Sequence, residues 1–123
     1  MRVKPGFLYF IATVGAPGGE YIKIGHSGTP EGRLAAISVS CPFPVRLVAK
    51  VEGTRFHEIW LQRHLAQWSS HGEWFRAVPE VLDYLEQAKA GRIKGMPRKF
   101  FPLTATLYWK PSNKPWAVAH EHI

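Results

Sequence analysis

Five side chains in this chain make a toolkit for breaking a phosphodiester bond: Tyr9, Tyr21, Lys23, Arg33 and Glu58. That reaction needs an activated nucleophile, a cation to balance charge on the phosphate, and help for the leaving oxygen. Tyr and Lys act as bases when nearby positive charge or desolvation lowers their pKa. Arg suits bidentate contact with a phosphate. Glu is a hard oxygen ligand suited to magnesium or manganese. Each residue also has an ordinary explanation. Tyr9 and Lys23 are common surface residues of strands, Arg33 a common helix-surface cation. Glu58 can pair with Arg55, Gln62 or Arg63 on its own helix. Spacing alone does not show that the five meet.

The elements that must position them are legible. Phe7–Val14 and Tyr21–Ile24 are two apolar runs split by Gly15-Ala16-Pro17-Gly18-Gly19, the signature of a β-hairpin. Alternation puts Tyr21 and Lys23 on one face of the second run and Ile22 and Ile24 on the core face. In the first run Phe7, Tyr9 and Ile11 share one face, and Leu8, Phe10 and Ala12 the other. Both faces are apolar, which predicts a central, covered strand. Thr29-Pro30-Glu31 reads as N-cap, first-turn proline and first-turn acid of a helix to about Val39, with Leu34 and Ile37 inward. Cys41-Pro42-Phe43-Pro44 stops it.

Val45–Val51 reads as a third strand, with Val45, Leu47, Ala49 and Val51 alternating against Arg46, Val48 and Lys50. Gly53-Thr54 opens a second helix from Arg55 to about Trp68, apolar around much of its girth. Ser69–Gly72 reads as a loop, and Glu73-Trp74-Phe75 as a short extended apolar anchor. Pro79 starts a third helix, Glu80–Ala90, closed by Gly91, with Val81, Leu82, Leu85 and Ala88 as its stripe.

From Arg92 onward the composition shifts to six Lys/Arg against the single acid Glu121. Arg92, Lys94, Arg98 and Lys99 are the candidate nucleic-acid contacts here. Aromatics lie among and after them (Phe100, Phe101, Tyr108, Trp109, Trp116), and cations with stacking faces suit nucleic acid. The alternative is a hairpin over the core, with strands at Leu103–Trp109 and Pro115–Ala119. The whole chain carries a formal net charge of +7, which favours polyanionic partners. Its 123 residues and 46% hydrophobic content predict one domain with a real core. Cys41 is the only cysteine, so an intrachain disulfide and a cysteine-based zinc site are excluded. Met1–Pro5 lacks the apolar segment of a signal peptide, and no apolar run is long enough to span a bilayer. A cytoplasmic protein with no membrane partner is expected.

The histidines offer two further readings. His57 and His64 are seven apart on one helix, so they share a face and are candidate metal ligands, although the spacing matches no zinc motif. His26 follows Gly25 directly and is a candidate substitute proton-transfer group.

The order Leu8-Tyr9-Phe10, Lys23-Ile24-Gly25, Arg33-Leu34 in a following helix, Glu58 in a later helix and then Gly72-Glu73-Trp74-Phe75 resembles the GIY-YIG nuclease superfamily. The similarity is to the small phage and bacterial branch with KIG in its second motif. It covers roughly Phe7 to Leu85. The resemblance implies an α+β fold, a three-stranded antiparallel sheet flanked by helices. It implies a nuclease domain over residues 1–90, followed by a basic, aromatic extension over 91–123. Tyr9 matches the first-motif tyrosine, and Lys23 stands where the second motif usually has tyrosine. Arg33 matches the arginine on the scissile phosphate, and Glu58 the glutamate holding a single divalent metal, Mg2+ or Mn2+. Tyr21, two residues before Lys23 on the same face, is a candidate assistant. The implied function is a metal-dependent endonuclease acting on DNA, double-stranded for preference. The lysine at the second motif keeps two alternatives open: a nucleic-acid-binding module that cleaves weakly or not at all, and a phage-type regulator that binds a protein partner.

Overall fold

Two apolar faces on one strand demand cover on both sides, and that is how the chain is built. The computed structural model describes residues 6–97. Five strands occur among them: β1 Gly6–Thr13, β2 Tyr21–Ser27, β3 Val45–Gly53, β4 Ser69–His71 and β5 Trp74–Arg76. They form one antiparallel sheet in the order β3-β1-β2-β5-β4. Three α-helices accompany it: α1 Pro30–Ser40, α2 Arg55–His64 and α3 Pro79–Lys89, with a 3-10 turn at Ala66–Trp68 after α2.

Leu8, Phe10 and Ala12 of β1 join Ile22 and Ile24 of β2 under α2 and α3, where Leu61, Leu65, Val81, Leu85 and Ala88 are buried. Tyr9 and Ile11 face the other way and bury with Ile37 of α1. The α+β class and the hairpin are as the pattern predicts. The three-stranded sheet is corrected to five strands. Ser69–His71, read as loop, pairs with Trp74–Arg76 as a second hairpin. Its turn is Gly72, at φ 57. Three polar, exposed residues carry no alternation of their own, so pairing with β5 is what makes them a strand.

The third strand departs from simple alternation. Phe10 pairs with Ala49 and Ile11 with Leu47, so Val48 has no partner across the ladder. This bulge inverts the phase. Ala49 and Val51 stay with the α2–α3 side, while Val45 and Leu47 pack with Tyr9 and Ile11.

Loops are tied by side chains. The Glu20 carboxylate accepts from the Thr13 hydroxyl at 2.6 Å and the Gly15 amide at 2.7 Å, closing the β1–β2 connection. At the start of α2, Thr54 and His57 form a reciprocal cap. The Thr54 amide donates to His57 Nδ1 at 2.9 Å, which leaves Nε2 to donate to the Pro97 carbonyl at 2.6 Å. Beyond α3, Ile93 enters the core and Met96 packs against it. No helix among the described residues is long and apolar enough to cross a membrane. Arg98, Lys99, the proposed strands at Leu103–Trp109 and Pro115–Ala119 and the aromatics between them lie outside the described residues.

Phe10 is fully buried and Val39 is 86% exposed. Phe10→Ala is therefore expected to cost about 3–5 kcal/mol in urea unfolding, and Val39→Ala to stay within about 0.5 kcal/mol. Equal effects would mean that the core is misplaced.

Candidate functional site

Tyr9 stands opposite Gly25 in the β1–β2 ladder, and its ring lies over that glycine. A Cβ at position 25 would run into the phenol oxygen and the carbon bearing it. The ring is 1% exposed, and its hydroxyl hydrogen-bonds the Arg33 side chain. Burial pushes the phenol above its ordinary pKa, Arg33 pulls it back in part, and the charges of Glu73 and Glu58 push it up again. At neutral pH Tyr9 therefore keeps its proton, and toward the Arg33 guanidinium its oxygen is the acceptor. Arg33 itself sits one turn into α1 with its residue surface exposed.

β5 pairs with β2 only as far as Lys23. Past that point the outer edge of β2 is closed by other groups. The Ile24 amide donates to the Glu73 carbonyl at 3.0 Å, and Gln62 Nε2 donates to the Ile24 carbonyl at 2.9 Å. The same Gln62 amide reaches Glu58 Oε2 at 3.2 Å. Glu73 and Glu58 are thus brought to one place from the β4–β5 turn and from α2.

Glu58 is 3% exposed. Desolvation, and then the neighbouring Glu73 carboxyl in hydrogen-bond contact, raise its pKa to about 8, against a smaller opposing pull from Arg55 and Gln62. Its Oε1 has no hydrogen-bond partner, only Arg55 Nη1 at 3.5 Å. Glu73 carries its charge to Lys23, whose Nζ lies 3.2 Å away and 5.5 Å from the centre of the Trp74 ring.

Tyr9, Lys23, Arg33, Glu58 and Glu73 are therefore one connected set. Tyr21 lies beside it, lining with Lys23 and Arg33 a cleft of about 690 Å3. His26 is not brought in. It is three residues from Lys23 along a strand, so it points to the opposite face, toward Gly6, Gly53, Arg55 and His57. Burial first, and then the charge of Arg55, hold its pKa below the usual value. Arg92 and Lys94 are exposed after α3, and Arg92 lines a separate hollow with His57 and Gly6. His57 and His64 do not converge on a metal. His57 is committed to Thr54 and Pro97, and His64 Nδ1 meets the Trp60 carbonyl at 2.8 Å.

Glu73 is the member that the residue pattern did not single out. The only signal was an acid set between a glycine and Trp74-Phe75, read as an apolar anchor. Its carboxylate matters because of Glu58, fifteen residues away. The pair suits a divalent cation: two hard oxygen donors, one of them with a buried, unbonded oxygen. No group of three or more His, Cys, Asp or Glu that could hold a metal occurs among the described residues. Such an ion would complete its shell from water and substrate phosphate, as magnesium commonly does.

Among protein families, the model of the T5orf172 domain matches residues 6–90. No GIY-YIG match accompanies it, so the expectation of GIY-YIG membership is overturned. The KIG and GEWF segments that suggested it fall within the T5orf172 match. No curated protein and no solved structure matches the chain.

The shifted Glu58 carboxyl gives a pH test. The folded state holds this proton more tightly than the unfolded chain, from the ordinary value of 4.5 up to about 8. Glu58 thus contributes stability below pH 4.5 that is lost as pH rises to about 8. Glu58→Gln has no such proton. Urea midpoints are expected to show the variant gaining on the native chain across that window, by up to a few kcal/mol on the order of what such a shift carries. Parallel curves would refute the buried, protonated carboxyl.

Proposed function

The chain belongs to the T5orf172 domain family, and from that premise we propose that it binds DNA and hydrolyses phosphodiester bonds at the Tyr9–Lys23–Arg33–Glu58–Glu73 cluster. The family is one of nuclease-like, DNA-binding domains, which supports interaction with nucleic acid in general. The observation that carries the finer reading is the connected set itself. Arg33 and Lys23 line one cleft; behind Arg33 lies the buried Tyr9 phenol, and behind Lys23 its partner Glu73 and the buried Glu58 carboxyl with an unbonded oxygen.

In this reading Arg33 presents its guanidinium to the phosphate from the exposed side of α1 and neutralises charge there. Tyr9, buried and held protonated, lies at the Arg33 side chain and helps fix the guanidinium that meets the phosphate. Water attacks phosphorus as the bond to the leaving oxygen breaks; the Lys23 ammonium gives that oxygen a proton, and the proton shed by the attacking water restores the ammonium. Lys23 is the proton-carrying group placed to exchange with the reacting oxygens, and Glu73 holds it in position. Tyr21 borders the same cleft and orients the substrate. Glu58 and Glu73 would hold Mg2+ or Mn2+, which would supply further charge neutralisation at the phosphate.

Two observations favour a second reading, a binding module that does not cleave. Lys23 is already paired with Glu73, and Glu58 is neutral through most of the physiological range.

Plasmid and single-stranded circular DNA incubated with Mg2+ or Mn2+ separate the two. The hydrolase reading expects nicking that falls at least about 100-fold in both Arg33→Ala and Glu58→Gln, with binding lost mainly in Arg33→Ala. Binding without nicking establishes the module instead. Nicking that survives Glu58→Gln at full rate would remove the carboxyl from the chemistry.

A further inference from the structure

The cleft beside the cluster has a shape that phosphate chemistry alone does not require. It encloses about 690 Å3, within the range of roughly 300–1,000 Å3 typical of small-ligand sites. It is lined by Tyr21 and Lys23 on the β2 face that looks toward α1, by Ala36 and Ile37 of α1, by Phe43 from the loop that follows and by Trp74 of β5. Arg33 belongs both to this lining and to the hydrogen bond with Tyr9. Two other hollows, of about 560 and 630 Å3, contain none of the five cluster residues.

The lining therefore combines two kinds of surface. Two cations, Lys23 and Arg33, share it with three partly exposed aromatic rings, Tyr21, Phe43 and Trp74, and Lys23 Nζ lies 5.5 Å from the centre of the Trp74 ring. A nucleotide has the same combination: an anionic phosphate next to a flat, largely apolar base. Aromatic faces take bases by stacking without regard to sequence, while cations follow the backbone. Bases inside a duplex are stacked on each other and do not offer their faces to a cleft of this kind.

We propose that the cleft takes an unpaired nucleobase adjacent to the phosphate held at Arg33, so that the protein acts on single-stranded or locally unpaired DNA. This rests on the nucleic-acid reading above and narrows its substrate. Trp74, Phe43 and Tyr21 supply the stacking faces, and Ala36 leaves the space the base occupies.

The test uses an oligonucleotide carrying 2-aminopurine, free as a single strand and annealed into a duplex, in low salt without divalent ion. The expected result is tighter binding of the single strand and a change in 2-aminopurine emission on binding. Ala36→Phe fills the cleft from an exposed helix position. Phe43→Ala removes a stacking face in a loop. Both are expected to weaken single-strand binding roughly 5- to 100-fold and to leave duplex binding unchanged, with the unfolding midpoint of Ala36→Phe also in place. Equal affinity for both forms, or no effect of Ala36→Phe, overturns the cleft proposal. If Arg33→Ala still weakens both complexes in that case, the phosphate contact stands without the base site. If neither DNA form binds, the nucleic-acid reading itself has failed, and the cleft proposal with it.

Discussion

An ionisable group taken out of water must find charge or hydrogen bonds to replace its hydration, or give up its charge. Glu58 does both in part. It is 3% exposed, one oxygen accepts from Gln62, and the other has no hydrogen bond. Much of the local architecture serves this carboxyl. Gln62 spans from it to the Ile24 carbonyl and so closes the sheet edge where β5 ends. Glu73 is set beside it by the β4–β5 turn, and Lys23 balances Glu73 in turn. A stable core gains nothing from a second carboxylate at such a place. The arrangement is understandable as a site that stores a demand for positive charge, met now by a proton and a lysine.

The sheet makes that placement possible by dividing its faces. One side of β1 and β2 is given to α2 and α3 and is apolar except at His26, near the end of β2. The other side meets α1 over a smaller cluster, and it is there that Tyr9, Tyr21 and Lys23 emerge. The unpaired Val48 in β3 lets one strand feed both sides, since its two halves point their apolar residues in opposite directions. The large core can then remain closed while the small one opens into a cleft. Of the charge in the chain, ten of the 16 Lys/Arg and eight of the nine Asp/Glu fall in residues 6–97, so this part is only mildly basic. Its cations act by position, with Lys23 and Arg33 at the cleft, rather than by bulk.

What the sequence disclosed follows from how far each feature depends on distant residues. The faces of β1 and β2 were readable because alternation is local, and the stop at Cys41-Pro42 was readable because proline chemistry is local. The bulge at Val48 was not, since it exists only in the pairing with Phe10 and Ile11. β4 was hidden because Ser69, Ser70 and His71 have no pattern of their own. Glu73 was overlooked because its role is created by Glu58. His26 is a different case. Its separation from Lys23 was legible by parity, but its closeness in sequence was given more weight than the face it occupies. The family reading went astray for a related reason: short ordered motifs of this kind do not by themselves separate one family from another.

Gly25 has a consequence beyond the room it leaves for the Tyr9 ring. A hairpin can shift its pairing by two residues and keep every side chain on its proper face, so apolar pattern alone does not forbid the error. In this hairpin it is forbidden. On the face that Tyr9 shares, β2 offers Tyr21, Lys23, Gly25 and Ser27, and only one of these lacks a Cβ. A shifted ladder would press the phenol ring against a side chain. The bare position thus works as a key: the strands close fully only in the alignment that also brings the phenol to Arg33. Correct assembly of the sheet and correct assembly of the site are, at this residue, the same event.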